Sequence, residues 1–160
     1  YYLFPGHQLV IAGAPNFGVD HYKQYFGNLP IQVVFDQTYD LLKNAEAAVV
    51  TSGTATLETA LLKTPQVVVY KANKISIFIA KLVIKVKFIS LVNLINNYLS
   101  VRELIQEDCN TMVIAEELKE LLNNKEHRAS VMENYEILAE KMGSPGASAK
   151  TAKKIVAYMQ

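Results

Sequence analysis

Short apolar runs alternate with helix-length polar segments along the first seventy residues. The runs are rich in Val, Ile and Ala, as buried strands are, and they lie at residues 8–12, 31–35, 47–50 and 66–70. Capping and periodic positions between the runs predict helices at residues 19–26, 38–44 and 57–62. This alternation predicts an α/β fold, in which a Rossmann-like parallel sheet carries helices on both faces.

The remainder of the chain changes character and becomes charged and periodic. Three helices are predicted there, at residues 116–123, 126–142 and 147–159. The second of them has an apolar face that we assign to packing, formed by Met132, Ile137, Leu138 and Met142. We therefore expect a single domain, with an α/β core at residues 1–113 and a helical layer at residues 114–160.

The third apolar run passes into its helix through a turn of small and hydroxyl side chains, Ser52-Gly53-Thr54. Unpaired N–H groups and the dipole at a helix N-terminus favour an anion, and Gly53 has no Cβ to keep a phosphate away. Glu58 follows about one turn into the helix, where a carboxylate can accept hydrogen bonds from the vicinal hydroxyls of a ribose. These residues are typical of a nucleotide site.

The same residues also suit a plain strand-to-helix turn, with Ser52 or Thr54 as N-cap and Glu58 in solvent. Spacing alone leaves both interpretations open. In parallel sheets, ligands bind at the carboxyl ends of the strands. We therefore expect the turns at residues 12–17, 35–38, 50–54 and 70–74 to share one edge and to form the site.

Composition narrows the classes of function. The 160 residues carry 16 Lys and Arg against 15 Asp and Glu, so the net charge gives no reason to expect nucleic-acid binding. Cys109 is the single cysteine, which excludes an internal disulfide, and the three histidines lie too far apart in sequence for a metal-ligand spacing. No signal peptide is evident at the start, which looks like the middle of a longer chain. A cytoplasmic setting fits these features.

Positive charge is concentrated in a stretch without acidic residues between Glu58 and Glu103. Within it, residues 75–87 are very apolar but interrupted by Lys81 and Lys85, so they are too short and too charged to span a bilayer. Two interpretations stay open. The segment is either a surface helix on anionic lipid or a helix buried against the sheet whose lysines reach water.

Four phrases in one order and spacing resemble the lipid-A-disaccharide synthases: FDQTYDLL at residues 35–42, VTSGTATLE at 50–58, TPQVVVYK at 64–71 and FISLVNLI at 88–95. The resemblance implies the C-terminal, donor-binding half of a GT-B glycosyltransferase. The general base of the family belongs to the other half. The chain alone is therefore expected to be inactive.

The resemblance also implies the substrates. The donor would be UDP-2,3-diacylglucosamine and the acceptor 2,3-diacylglucosamine 1-phosphate, joined into a β-1,6 disaccharide with release of UDP. No cofactor and no metal are expected. Contact with the inner face of the bacterial inner membrane through residues 75–87, and a homodimer, are left open.

Site residues follow from the same resemblance. Ser52, Gly53 and Thr54 would hold the pyrophosphate and Glu58 the uridine ribose. Asn93, expected in a loop after a strand at residues 88–91, would bond to the donor sugar or phosphate, with capping of the next helix as the alternative. The remaining candidates are Gln37 and Thr38, near the base or phosphates, and Tyr70 and Lys71, at the edge of the fourth strand.

One pair of residues departs from the family pattern. Tyr98-Leu99 stands where an Arg-Glu pair is expected, and Arg102-Glu103 comes a turn later. A phosphate-neutralising guanidinium is therefore lost or displaced. This departure keeps open a degenerate domain without catalysis. Another UDP-sugar enzyme of GT-B type, such as a cell-wall glycosyltransferase or an epimerase, is a separate alternative.

Overall fold

The computed structural model describes residues 2–72, 87–143 and 146–159. The first half of the described chain alternates strands and helices: β1 (Val10–Ala12), α1 (Val19–Phe26), β2 (Gln32–Val34), α2 (Thr38–Asn44), β3 (Ala48–Thr51), α3 (Thr54–Leu61) and β4 (Gln66–Tyr70). The second half is mostly helical: α4 (Leu91–Asn96), β5 (Glu103–Ile105), α5 (Thr111–Asn123), α6 (Lys125–Met142) and α7 (Ala147–Tyr158).

All strand pairs of the described chain are parallel. β1 pairs with β2, with Val10 opposite Gln32, and a second sheet has the order β3-β4-β5. Since parallel strands of one sheet end at the same edge, the turns that follow β3, β4 and β5 lie together. The predicted α/β fold with a Rossmann-like parallel sheet is confirmed.

The core joins the second sheet to the helices around it. Its fully buried side chains include Val68 of β4, Val92 of α4, Leu121 of α5 and Leu138 of α6. Met132 packs against this cluster, as the predicted apolar face requires. Met142 does not, because it is the last residue of α6 and is 45% exposed.

The prediction of a strand at residues 88–91 is wrong. Ser90 is the N-cap of α4, and its hydroxyl accepts a hydrogen bond from the N–H of Asn93 at 3.2 Å. A short apolar run that contains one serine fits a strand or a capped helix equally well. Here the hydrogen bond of the Ser90 cap stabilises the start of a helix. β5 was not predicted, since its three residues follow charged Arg102 and begin with Glu103.

Residues 73–86 lie outside the described chain, and with them all but Lys87 of the segment predicted to be either a membrane-surface or a buried helix. The described residues on either side of 73–86 are hydrogen-bonded to Glu103 of β5 or to Gln106, the residue after β5. Gln106 exchanges two hydrogen bonds with the backbone of Ala72, at 2.8 and 2.9 Å. Glu103 accepts from the N–H groups of Ile89 and Ser90. Among the helices that are described, none has the length and apolarity needed to cross a membrane.

Replacement of Tyr135 by phenylalanine is expected to lower the free energy of unfolding by about 1–2 kcal/mol. The phenol is buried, which raises its pKa; its O–H donates to the carbonyl of Thr64 at 3.2 Å, and its oxygen accepts from Nε2 of Gln66 at 3.3 Å. Both partners lose a bond inside the core. Urea denaturation measures the change, with Tyr158→Phe, at an exposed tyrosine, as the unchanged control. An unaltered midpoint for Tyr135→Phe would show that these two bonds add no net stability.

Candidate functional site

The turn between β3 and α3 leaves the sheet at the carboxyl edge. The N–H of Ser52 donates to the carbonyl of Val69 on β4 at 3.0 Å, which extends the strand pairing by one residue. The carbonyl of Gly53 accepts from the N–H of Thr56 at 3.2 Å and from its hydroxyl at 2.7 Å. The turn is therefore fixed to the sheet on one side and to the helix on the other.

The N-terminus of α3 is open. No side chain caps it, and both Gly53 and Thr54 are exposed. The backbone N–H groups of these two residues make no hydrogen bond to any part of the chain that the structure describes. A Cβ built on Gly53 would meet no atom within 4 Å, so the space above the turn is free. Such an end can accept an anion.

The Ser52 hydroxyl is occupied within the protein. Its Oγ donates to the carbonyl of Ile89 at 2.8 Å, in a partly buried position. A hydroxyl has one proton, so Ser52 cannot donate to a phosphate while this bond exists. In this structure the side chain ties the turn to the segment just before α4.

Glu58 lies on α3, one turn beyond Thr54. It is half-buried, whereas Thr56, Thr59 and Ala60 of the same helix are buried in the interior. Its carboxylate has no hydrogen-bond or ion-pair partner within the described ranges. Four lone-pair sites are thus available to hydroxyl donors near the open turn.

Tyr70 and Lys71 follow β4 at the same edge as the turn. Thr51 of β3 is paired with Val69 in register, so the turn and the end of β4 are adjacent. Tyr70 and Lys71 are exposed, and the carbonyl of Tyr70 accepts from the N–H of Gln106 at 3.0 Å. The structure therefore brings this predicted pair to the edge that carries residues 52–54.

Gln37 and Thr38 lie at the start of α2, after β2 of the other sheet. Both are exposed, and Gln37 is the N-cap residue without a side-chain cap bond. They line a shallow depression together with Asp36, Tyr39, Asp40 and Lys43. No hydrogen bond connects the two residues to the Ser52-Gly53-Thr54 turn in the described chain.

Asn93 is placed differently from the prediction. It lies in α4 rather than in a loop, and it is fully buried. Its Oδ1 accepts from the N–H groups of Ser100 and Val101 at 2.8 and 3.0 Å, and its Nδ2 donates to the carbonyl of Val101 and to Glu103, both at 2.8 Å. These bonds use all the capacity of the amide, so contact with a donor would require some of them to break.

Tyr98 and Arg102, the residues around the departure from the family pattern, bond to helices. The hydroxyl of Tyr98 donates to Oδ1 of Asn134 on α6 at 2.9 Å. The Arg102 guanidinium donates at 3.1 Å to Glu117 of α5, whose other oxygen lies 2.8 Å from Nε2 of His127. Neither side chain is hydrogen-bonded to the Ser52-Gly53-Thr54 turn in the described chain.

Glu103 has a site role that its sequence position did not predict. Its carboxylate accepts three hydrogen bonds, from the N–H of Ile89 at 3.0 Å, the N–H of Ser90 at 2.8 Å and Nδ2 of Asn93 at 2.8 Å. The one available signal was that Glu103 ends the acid-free stretch. Among the described residues, no three His, Cys, Asp or Glu side chains are grouped as metal ligands.

Comparison with known proteins identifies the family. The family model described as lipid-A-disaccharide synthetase matches residues 4–156. Curated proteins called lipid-A-disaccharide synthase are similar: the one from Syntrophus aciditrophicus is 41% identical over 76% of this chain and 32% of its own length. The one from Trichlorobacter lovleyi is 33% identical over 98% of this chain and 41% of its own length.

A third relative, from Nitrosococcus oceani, is 39% identical over 82% of this chain and 34% of its own length. The chain thus spans about a third of the length of the curated relatives that it matches. The match nevertheless extends over nearly all of the present sequence and includes the turn, α3 and the network around Asn93. The chain belongs to the lipid-A-disaccharide synthetase family.

Proposed function

We propose that this chain is the donor-binding half of a lipid-A-disaccharide synthase. The whole protein would transfer 2,3-diacylglucosamine from its UDP derivative to 2,3-diacylglucosamine 1-phosphate and release UDP. The family supports the reaction. The observation that carries the donor role is the open, uncapped N-terminus of α3, with the unpartnered carboxylate of Glu58 one turn away.

The contacts with the donor are divided between backbone and side chains. The N–H groups of Gly53 and Thr54, with the Thr54 hydroxyl, bind the pyrophosphate, and Glu58 accepts from the ribose hydroxyls. Ser52 contributes by holding the turn through Ile89 rather than by donating to phosphate. Lys71, at the same edge, supplies positive charge, and Gln37, Thr38 and Tyr70 complete the candidate surface.

The reaction is a direct displacement at the anomeric carbon. The acceptor 6-hydroxyl loses its proton to a base as its oxygen bonds to that carbon, and the bond from the carbon to the UDP oxygen breaks. The general base would come from the half of the protein outside this chain. The α3 N-terminus stabilises the negative charge that develops on the leaving UDP, and this scheme needs neither a metal nor a cofactor.

Both proposed sugar substrates carry acyl chains, so the reaction would occur at a membrane surface. The apolar, lysine-containing residues 75–87 are the part of the sequence whose composition suits such contact.

A transfer assay with the whole protein that contains this chain tests the proposal. We expect disaccharide to form from UDP-2,3-diacylglucosamine and 2,3-diacylglucosamine 1-phosphate, and none to form when UDP-N-acetylglucosamine is the donor. Equal use of UDP-N-acetylglucosamine, which lacks the two long acyl chains, would favour another GT-B enzyme. Absence of transfer together with absence of UDP binding would favour a degenerate domain and would refute the proposal.

A further inference from the structure

Glu103 holds the backbone that precedes α4. Its Oε2 accepts from the N–H of Ile89, and its Oε1 accepts both from the N–H of Ser90 and from the amide of Asn93. Bonds from N–H groups to an ionised acceptor are about twice as strong as neutral ones. Glu103 is the first residue of β5, the outer strand of the second sheet, and it fixes two successive peptide groups at a partly buried position.

Both backbone polar groups of Ile89 are hydrogen-bonded to side chains. Its N–H donates to Glu103 at 3.0 Å, and its carbonyl accepts from the Ser52 hydroxyl at 2.8 Å. The distance along the sequence is 37 residues from Ser52 to Ile89 and 14 from Ile89 to Glu103, so this is a tertiary connection. Through it, the carboxylate on β5 determines where the Ser52 side chain is anchored.

From this connection we propose that Glu103 is a positioning residue for the donor site, acting through Ile89 and Ser52 on the turn at residues 52–54. It does not touch the donor. The proposal rests on the proposed function, because the turn is the pyrophosphate site assigned above. Asn93, which bonds the same carboxylate from the buried side, supports Glu103 rather than the donor.

The chemistry of the site makes the carboxylate hard to replace. A glutamine has one acceptor oxygen, so it can satisfy either Ile89 or the Ser90 and Asn93 pair, and its NH₂ group then faces a second donor. In the Glu103→Gln variant Ile89 would shift and the Ser52 hydroxyl would lose its fixed acceptor. UDP would then have to order the turn on binding, which weakens affinity.

The test compares UDP affinity, by calorimetry, in four forms of the chain: wild type, Glu103→Gln, Ser52→Ala and the double variant. We expect Glu103→Gln to raise the Kd about tenfold, equivalent to ~1.4 kcal/mol. In the Ser52→Ala background the same change should have little further effect, because the connection is already broken. Tyr135→Phe, which removes buried bonds to Thr64 and Gln66 and none to Ser52, Ile89 or Glu103, serves as the control for a general loss of stability.

A ligand-free measurement separates this proposal from the proposed function. Amide hydrogen exchange reports on the N–H groups of Ser52 and Thr56, which are bonded to Val69 and Gly53. Both should exchange faster in Glu103→Gln, and the Ser52 N–H should exchange at the wild-type rate in Tyr135→Phe, because Gln66 links Tyr135 to Thr56 and not to Ser52. If wild type binds no UDP, the proposed function fails, while the exchange rates still decide whether Glu103 positions the turn.

Three results would overturn the positioning role. One is an unchanged Kd together with unchanged exchange at Ser52 and Thr56 in Glu103→Gln. Another is a loss of affinity no larger than that of Tyr135→Phe. The third is a Glu103→Gln effect of equal size with and without the Ser52 hydroxyl, since additivity would show that the two residues act independently.

Discussion

Replacement of Glu58 by alanine is expected to raise the Kd for UDP about a hundredfold, equivalent to ~2.7 kcal/mol. The carboxylate is half-buried beside an open helix end and has no partner in the described chain, so it is available for two charge-assisted bonds to the ribose. Alanine favours the helix, and no internal bond is lost. The loss should therefore appear in binding and not in stability.

Calorimetric titration with UDP measures this effect, with Glu133→Ala on the exposed surface of α6 as the matched control. Inorganic pyrophosphate provides a second comparison. Its affinity should be the same for wild type and Glu58→Ala, because the carboxylate acts on the ribose and not on the phosphates. Equal affinity for UDP in both proteins would remove Glu58 from the site.

Asn93→Ala is expected to reduce the free energy of unfolding by about 4 kcal/mol. The amide satisfies the N–H groups of Ser100 and Val101 and the carbonyl of Val101, all of them inside the protein. Truncation leaves these three backbone groups without a partner and opens a cavity. Each buried group left unsatisfied costs about 1–3 kcal/mol, partly offset where water or relaxation supplies a substitute.

Urea denaturation of Asn93→Ala gives the measurement, and Asn123→Ala is the control, since that amide donates to the Lys119 carbonyl at an exposed position. We expect the Asn93→Asp variant to be destabilised as well. Its second carboxylate oxygen would take the place of Nδ2, which donates to Glu103, and would bring two acidic groups together. A change below about 1 kcal/mol in Asn93→Ala would contradict the structural role of this buried network.

The sequence pattern was sufficient to predict a helix or strand whose own residues carry the cap, the glycine or the β-branched run that defines it. The helix at Val19–Phe26 precedes a glycine, the helix at Thr38–Asn44 begins at a hydroxyl, and the strand at Gln66–Tyr70 is continuous and β-branched. The first and the third were predicted with their observed bounds; for the second, Thr38 was predicted as the cap and is the first helical residue, with Gln37 as the N-cap. α4 was missed because its start depends on the Ser90 cap, and β5 was missed because its three residues are a strand through their pairing with β4 and have no apolar pattern of their own.

The candidate site was predictable to the same limited extent. A glycine between hydroxyl residues at a strand-to-helix junction was enough to indicate the turn, and the carboxylate one turn later was enough to indicate Glu58. The partner of the Ser52 hydroxyl was not predictable, since Ile89 lies 37 residues away and contributes only its backbone. The burial of Asn93 against Ser100 and Val101 was not predictable either, because both partners contribute only backbone groups.

The departure at Tyr98 has a consequence for how the leaving group is stabilised. Tyr98 bonds to α6 and Arg102 to Glu117, so neither brings a guanidinium to the turn. Under the proposed function, stabilisation of the leaving UDP would then fall to the backbone N–H groups at Gly53 and Thr54, with Lys71 as the cation at the same edge. Binding should accordingly depend on the pyrophosphate and should fall from UDP to UMP to uridine.

The most direct test of the donor-binding role is an NMR titration of this chain with UDP, with uridine as the ligand that lacks phosphates. We expect saturable shifts centred on the amides of residues 52–58, largest at Gly53 and Thr54, and much weaker binding of uridine. Absence of shifts at millimolar UDP, or shifts centred away from the turn, would contradict the assignment of residues 52–58 as the nucleotide site.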